Sequence, residues 1–217
     1  MTDAPPARVK SESEDRKGRK GTRHARRLQL IESTIDSLAA RGYAETTLAD
    51  VAKGAGLSRG IVNFYFESKE KLLVATLQHM AEEYAAHWRS ALAKASSDPA
   101  DQLLALVRAD FDPAICNRRK LAAWCAFWGE ARSRPTYQAH CGSRDEAYQQ
   151  LLERMCRDLA DSGNYSIDPH SVAVALDALL EGLWLRLMMG SAKLSRDAAR
   201  EAAISFLAAS FPRHFPR

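Results

Sequence analysis

Hydrophobic positions along the 217-residue chain recur at helical rather than strand spacing. Beyond Arg23, the residues Leu28, Ile31, Ile35, Leu38 and Ala39 follow at intervals of three, four, three and one, an apolar stripe that Gly42 is placed to end. Thr46-Thr47 offers a hydroxyl N-cap to a second, short helix in which Leu48, Val51 and Ala52 face inward, and Gly54 and Gly56 close it. Ser58 caps a third helix carrying Ile61, Val62, Tyr65 and Phe66. Ser68 caps a fourth, where Leu72, Leu73, Leu77 and Met80 share a face and the pattern continues to Ala95. Beyond the break at Ser96-Ser97-Asp98-Pro99, the spacing predicts helices over 100–110, 114–132, 136–162, 169–190 and 196–210. Pro113, Pro135, Gly163 with Pro169, and Gly190 with Ser195 separate them. The expectation is an all-α fold of about nine helices.

Composition narrows the class. Gly and Pro together make 19 of 217 residues, which excludes collagen-like and linker-like chains. A chain of this length buries enough surface to fold without disulfide or metal staples. The longest apolar cluster, Leu183-Trp184-Leu185, soon meets Arg186, far short of the roughly 18 residues of a membrane span. The N-terminus has charges with no apolar stretch behind them, so it is not a secretory signal. Cys116, Cys125, Cys141 and Cys156 lack paired spacing and read as reduced thiols of a cytoplasmic protein. Cys116, close to Arg118 and Arg119, is the one candidate for a redox switch. His79, His87 and His140 lack the spacing of a zinc site, and no glycine loop for phosphate is present, so no metal or cofactor is expected.

Charge is concentrated at one end. Residues 1–27 hold nine Lys and Arg against four acids, a net +5 in a chain whose total is +4. That asymmetry suits a polyanionic partner, although a solvated tail has the same composition. Residues 1–22, with Pro5-Pro6 and a run of Ser, Glu and Lys, read as a disordered basic extension.

The functional signal lies between Thr47 and Leu73. Two short helices joined by Gly54-Ala55-Gly56-Leu57 have helix-turn-helix proportions, and the second is of a length to lie in a major groove. Gly56-Leu57-Ser58-Arg59-Gly60 also matches the nucleophile elbow of hydrolases. That elbow needs a preceding strand, and residues 48–53 are helical by pattern, so Ser58 is read as an N-cap and an all-α enzyme is kept as a remote alternative. The string from Thr47 to Phe66, followed by Lys69 and Leu72-Leu73, closely resembles the DNA-binding signature of the TetR family of transcription regulators. The resemblance implies a DNA-binding domain over 23–68, a homodimer on double-stranded operator DNA, and an effector-binding and dimerisation domain over 69–217. It places Thr47, Tyr65 and Lys69 on phosphates, where helix N-termini also favour anions. Arg59, beside Ser58 at the start of the recognition helix, is the candidate for a bidentate fork on guanine. Gly60 allows close approach to the groove. Asn63 and Phe64 depart from the family's usual Tyr and Arg or His. Asn63 suits an adenine edge or a phosphate, and Phe64 suits either a thymine methyl or packing on the first helix.

The second half reads as a sensor. Leu121-Ala122-Ala123-Trp124-Cys125-Ala126-Phe127-Trp128, with Pro135 and Tyr137, and Leu179-Leu180-Glu181-Gly182-Leu183-Trp184-Leu185-Arg186 resemble the choline-responsive, BetI-type branch of the family. That resemblance implies a repressor of choline-to-glycine-betaine genes; a repressor for another apolar or cationic molecule has the same DNA-binding half. A quaternary ammonium ion has no N–H to donate, so proteins hold it with aromatic faces. The expected ligand-binding residues are Trp88, Asp110, Trp124, Phe127, Trp128 and Trp184, and the counter-charge stays open among the acids Asp110, Asp112, Glu130 and Glu181. Tryptophans at helical spacing also serve as ordinary core. For the dimer seam, Val172, Leu176, Leu179, Leu180, Leu183 and Leu187 make one broad apolar face and Ala199, Ala203, Phe206 and Leu207 a second.

Overall fold

A computed structural model of the chain describes residues 12–130, 136–190 and 194–216, and every regular element among them is a helix. In order they are α1 (Glu12–Glu45), α2 (Leu48–Gly54), α3 (Arg59–Tyr65), α4 (Lys69–Lys94), α5 (Pro99–Asp110), α6 (Arg118–Glu130), α7 (Thr136–Ser162), α8 (Pro169–Met188) and α9 (Arg196–Ser210). Thr47, Ser58 and Ser68 cap α2, α3 and α4 by accepting a backbone N–H from the first turn. Asp98, Asp168 and Ser195 do the same for α5, α8 and α9.

Two helix starts differ from the pattern, while Gly42, expected to end the first helix, kinks it with φ at +79° just before the end at Glu45. Helix α1 begins at Glu12, inside the segment expected to lack structure. Acids at 12, 14 and 15 precede bases at 16, 17 and 19 by three or four residues, an order that favours a helix and its positive N-terminal end. Residues 1–11 lie outside the described residues, as does the break expected at Pro135. Helix α6 starts at Arg118 rather than 114 because polar side chains hold the preceding turn. Asp112 Oδ1 accepts from Ala114 N at 2.7 Å, and Asn117 Oδ1 accepts from Lys120 N at 3.0 Å.

The first unit is a three-helix cluster. Leu30, Ile31, Ile35 and Leu38 of α1 bury against Val51 and Ala52 of α2, Val62 of α3, and Phe66. Gly56 turns the chain between α2 and α3 with φ at +62°, a conformation that costs a residue with Cβ about 1–2 kcal/mol. Two side chains of α1 tie down that turn: Gln29 Nε2 donates to the Ala55 carbonyl at 2.7 Å and Ser33 Oγ to Val51 at 2.8 Å.

Helix α4 runs on from this unit into the second, a stretch of about 39 Å for its 26 residues. There α5, α6, α7, α8 and α9 close one continuous core through Leu103, Leu106, Leu121, Leu152, Leu159, Leu176, Leu180 and Leu207. The apolar faces expected at a dimer seam are therefore largely spent inside the subunit. Leu176, Leu180 and Leu183, and Ala199, Ala203 and Leu207, are buried by the chain's own helices. The opposite side of α8 instead leaves Val174, Leu185 and Met189 at 48%, 43% and 68% exposure. No helix among the described residues is long and apolar enough to cross a membrane.

Candidate functional site

The first site is the outer face of the helix pair. Within α3, Val62 points into the core, whereas Arg59, Gly60, Asn63 and Phe64 are all exposed. Ser58 spends its hydroxyl as N-cap acceptor for Ile61 N at 3.4 Å. Thr47 caps α2 and donates to Asp50 Oδ2 at 2.6 Å, leaving its backbone at the exposed N-terminal end of that helix. Phe64 is not buried in the core: it is 71% exposed, its ring meeting Tyr65 edge-on with centroids 5.3 Å apart. The guanidinium of Arg23 lies 5.9 Å from the Phe64 centroid, and that of Arg27 lies 5.5 Å from Phe66. The basic start of α1 thus flanks the recognition face. Lys69 donates to the Ala44 carbonyl at 2.8 Å, which leaves two of its three N–H groups for a phosphate.

The second site is a cavity of about 440 Å³ in the C-terminal unit. Trp88 from α4, Trp124 and Trp128 from α6, and Trp184 from α8 wall it, together with Tyr84, Tyr148, Asp110, Asp177, Glu181, Gln149 and Arg89. Trp124 and Trp128 stack one turn apart, with centroids 6.2 Å apart and planes at 29°. Tyr84 and Trp184 meet edge-on at 5.6 Å, and Trp88 and Tyr148 lie 5.6 Å apart. The indole N–H of Trp184 donates to the Asp110 carbonyl at 3.1 Å, so its polar atom is satisfied and the ring serves as wall. Arg89 places its guanidinium 5.0 Å from the Trp88 centroid, which shows that this ring already accepts a cation.

Asp110 is the chemical centre. Only 2% exposed, it accepts from the Tyr84 hydroxyl at 2.7 Å, and no ion pair among the described residues includes it. Burial, aided by the nearby charge of Asp177, raises its pKa from 3.8 to about 7. The Tyr148 hydroxyl is buried in the same wall, beside Asp110 and Tyr84. A buried carboxyl held only by neutral hydroxyls marks a place where a ligand can supply the missing charge.

Of the six residues expected in the cage, five line the cavity and Phe127 does not. Phe127 lies on another side of α6 and meets Tyr43 of α1 edge-on at 5.9 Å, so it packs between the two units. Tyr84, Tyr148, Asp177 and Gln149 escaped the sequence pattern. Tyr84 stands four residues before Trp88, a same-face pair that was there to be read; the other three come from α7 and α8 and carry no such local signal. Cys116 is fully buried, and burial pushes its thiol up to about 11 in spite of Arg196, which removes it as a redox switch.

The two sites are mechanically joined. Arg119, at the start of α6, donates through Nη2 to Glu32 Oε2 at 2.8 Å and to the Glu32 carbonyl at 2.7 Å, and through Nε to Asp36. Lys120 reaches back to Glu83 of α4 at 2.6 Å. Helix α6 therefore carries cavity wall on one side and is bolted to α1 along another, through Arg119 at its start and Phe127 near its end.

Two family models match the chain. Residues 30–76 match "Bacterial regulatory proteins, tetR family", and residues 99–212 match "BetI-type transcriptional repressor, C-terminal". The chain is 33% identical over 192 residues to the HTH-type transcriptional regulator BetI of Burkholderia thailandensis, covering 86% of this chain and 94% of that protein. Among solved structures it resembles a transcriptional regulator from Pseudomonas aeruginosa PAO1, with TM-score 0.75, 25% identity, and 88% and 93% of the two chains covered. It also shares the fold of a Saccharomonospora viridis regulator solved in complex with choline, with TM-score 0.74, 22% identity, and 83% and 94% covered.

Proposed function

The chain belongs to the TetR family of bacterial transcription regulators, with a BetI-type C-terminal half, and from that membership we propose that it is a cytoplasmic, homodimeric repressor of choline-to-glycine-betaine genes, released from its operator by choline. The observation that carries the effector reading is Asp110. A carboxyl group with no basic partner, beneath four tryptophans, is costly to ionise unless the ligand brings the positive charge. Trp124, Trp128 and Trp184 then supply ring faces worth about 0.5–2 kcal/mol per cation contact, with Trp88 once Arg89 moves aside. The Tyr148 hydroxyl in the same wall suits the effector's own hydroxyl. Phe127 has no part in this cage.

On DNA, Arg59 reads a guanine, Asn63 and Phe64 touch neighbouring base edges, and Gly60 lets α3 sit deep in the groove. Thr47, Tyr65 and Lys69 hold phosphates, Ser58 caps α3 at the DNA-facing end, and the basic start of α1 adds salt-dependent affinity. The exposed Val174 and Leu185 of α8 and Met189 at its C-cap, with the small outer residues of α9, support a twofold helix bundle as the dimer seam. A cation drawn against Trp124 and Trp128 shifts α6, and through Arg119 shifts α1 and the reading heads. Release requires that the effector bind the arrangement unable to span two half-sites more tightly than the DNA-bound one.

A gel shift on the DNA upstream of its own gene, at about 150 mM salt with excess competitor, tests both halves. The expected result is a specific shift abolished by millimolar choline. A specific shift indifferent to choline removes the choline pocket, and no specific shift removes the repressor reading on that DNA.

A further inference from the structure

We infer that the cavity is built for an extended ligand with two positive centres, one at Asp110 and the other at Asp177, and not solely for a cation of choline's size. The inference rests on the cation-binding reading above and names the ligand class of the same cavity.

Three observations carry it. The first is space: about 440 Å³ lies within the 300–1,000 Å³ that proteins use for drug-sized ligands, far more than choline fills. The second is a second carboxyl in the same wall. Asp177 lines the cavity on α8, and among the described residues it accepts from a neutral amide, Gln149 Nε2, at 3.0 Å, which orients the carboxylate without neutralising it. Burial holds the Asp177 pKa above its ordinary value, so its charge is partly stripped of water. None of the ion pairs among the described residues includes Asp110 or Asp177.

The third observation is that each carboxyl has its own neutral donor and its own helix: the Tyr84 hydroxyl of α4 holds Asp110 of α5, and the Gln149 amide of α7 holds Asp177 of α8. Trp184 and Tyr148 line the same wall. A monocation at Asp110 leaves the second carboxylate desolvated and uncompensated; a ligand with positive charge at both ends compensates both. Arg89, the one basic residue in the wall, is engaged on Trp88.

The test compares hexamethonium with hexyltrimethylammonium, two probes with the same alkyl chain that differ in the second charge. Each is titrated calorimetrically into the full-length dimer. The expected result is that hexamethonium binds about tenfold or more tightly, the scale of one close charge pair, and that Asp177→Asn collapses this ratio towards one. Equal affinities for the native protein overturn the inference without any variant. A ratio that survives Asp177→Asn overturns the assignment of the second centre. If neither probe nor choline binds, the cation cavity itself is wrong and this inference falls with it, a result distinct from choline binding with no advantage for the dication.

Discussion

Replacing Asp110 by Asn isolates the energetic cost of the proposed effector site. The amide keeps the shape of the carboxyl and can still accept from the Tyr84 hydroxyl, but it cannot ionise. Burial raises the native carboxyl from 3.8 to about 7, so between those values the folded protein holds a proton that the unfolded chain releases. Stability is therefore highest below the unfolded value and falls as pH rises, by about 1.4 kcal/mol per unit, until it levels off above the folded value. The whole shift amounts to about 4 kcal/mol, of which about 2 kcal/mol falls between pH 5 and pH 7. Asp110→Asn escapes this loss. Its stability advantage over the native protein should widen by about 2 kcal/mol over that interval, or about 4–8 °C in Tm for a chain of this size. Melts followed by far-ultraviolet circular dichroism at pH 5, 6, 7 and 8 measure the gap. Saturating choline should raise the Tm of the native protein and leave the variant unmoved, since only a ligand that binds the folded state stabilises it. The affinity of the native protein for choline should rise about tenfold per pH unit up to about 7 and then level off, because the carboxylate is the binding form. A gap that stays constant with pH refutes the reasoning: Asp110 would then already be ionised, or neutral throughout, and the buried charge would not be what the cation answers.

Three further outcomes are expected. Arg59→Ala should weaken operator binding by about 1–3 kcal/mol and relax preference at one base pair, measured by competition gel shifts; unchanged preference removes Arg59 from base reading. Trp124→Leu preserves apolar bulk but removes a ring face, so choline should no longer release DNA while operator affinity stays intact; a normal response places the cage elsewhere. Leu185→Glu puts a charge on the exposed face of α8 and should give monomers in sedimentation with weakened operator binding, whereas a persistent dimer moves the seam off that face.

Much of the N-terminal half was legible along the chain. The caps at Thr47, Ser58 and Ser68, the glycine turn at Gly56 and the inward positions Val51, Ala52 and Val62 each depend on interactions within a few residues. Phe64 was ambiguous in one dimension, because an aromatic residue on a short helix suits either core or groove; its exposure follows from Val62 and Phe66 having taken the inner face. In the second half, Trp124 and Trp128 fell on one side of a helix as their spacing requires, whereas Phe127 could be assigned to a side only once α1 lay against α6.

Sequence alone thus determined most of the helices, their caps and the reading head, since these follow from hydrogen bonds and periodicities that span a turn or two of chain. Tertiary structure decided which apolar faces remain free and what lines the cavity. Tyr84 meets Asp110 across 26 residues and Trp184 meets it across 74, and the raised pKa of that carboxyl exists only because these helices exclude water around it. Desolvation is a property of the packed surroundings as a whole, and no local pattern carries it.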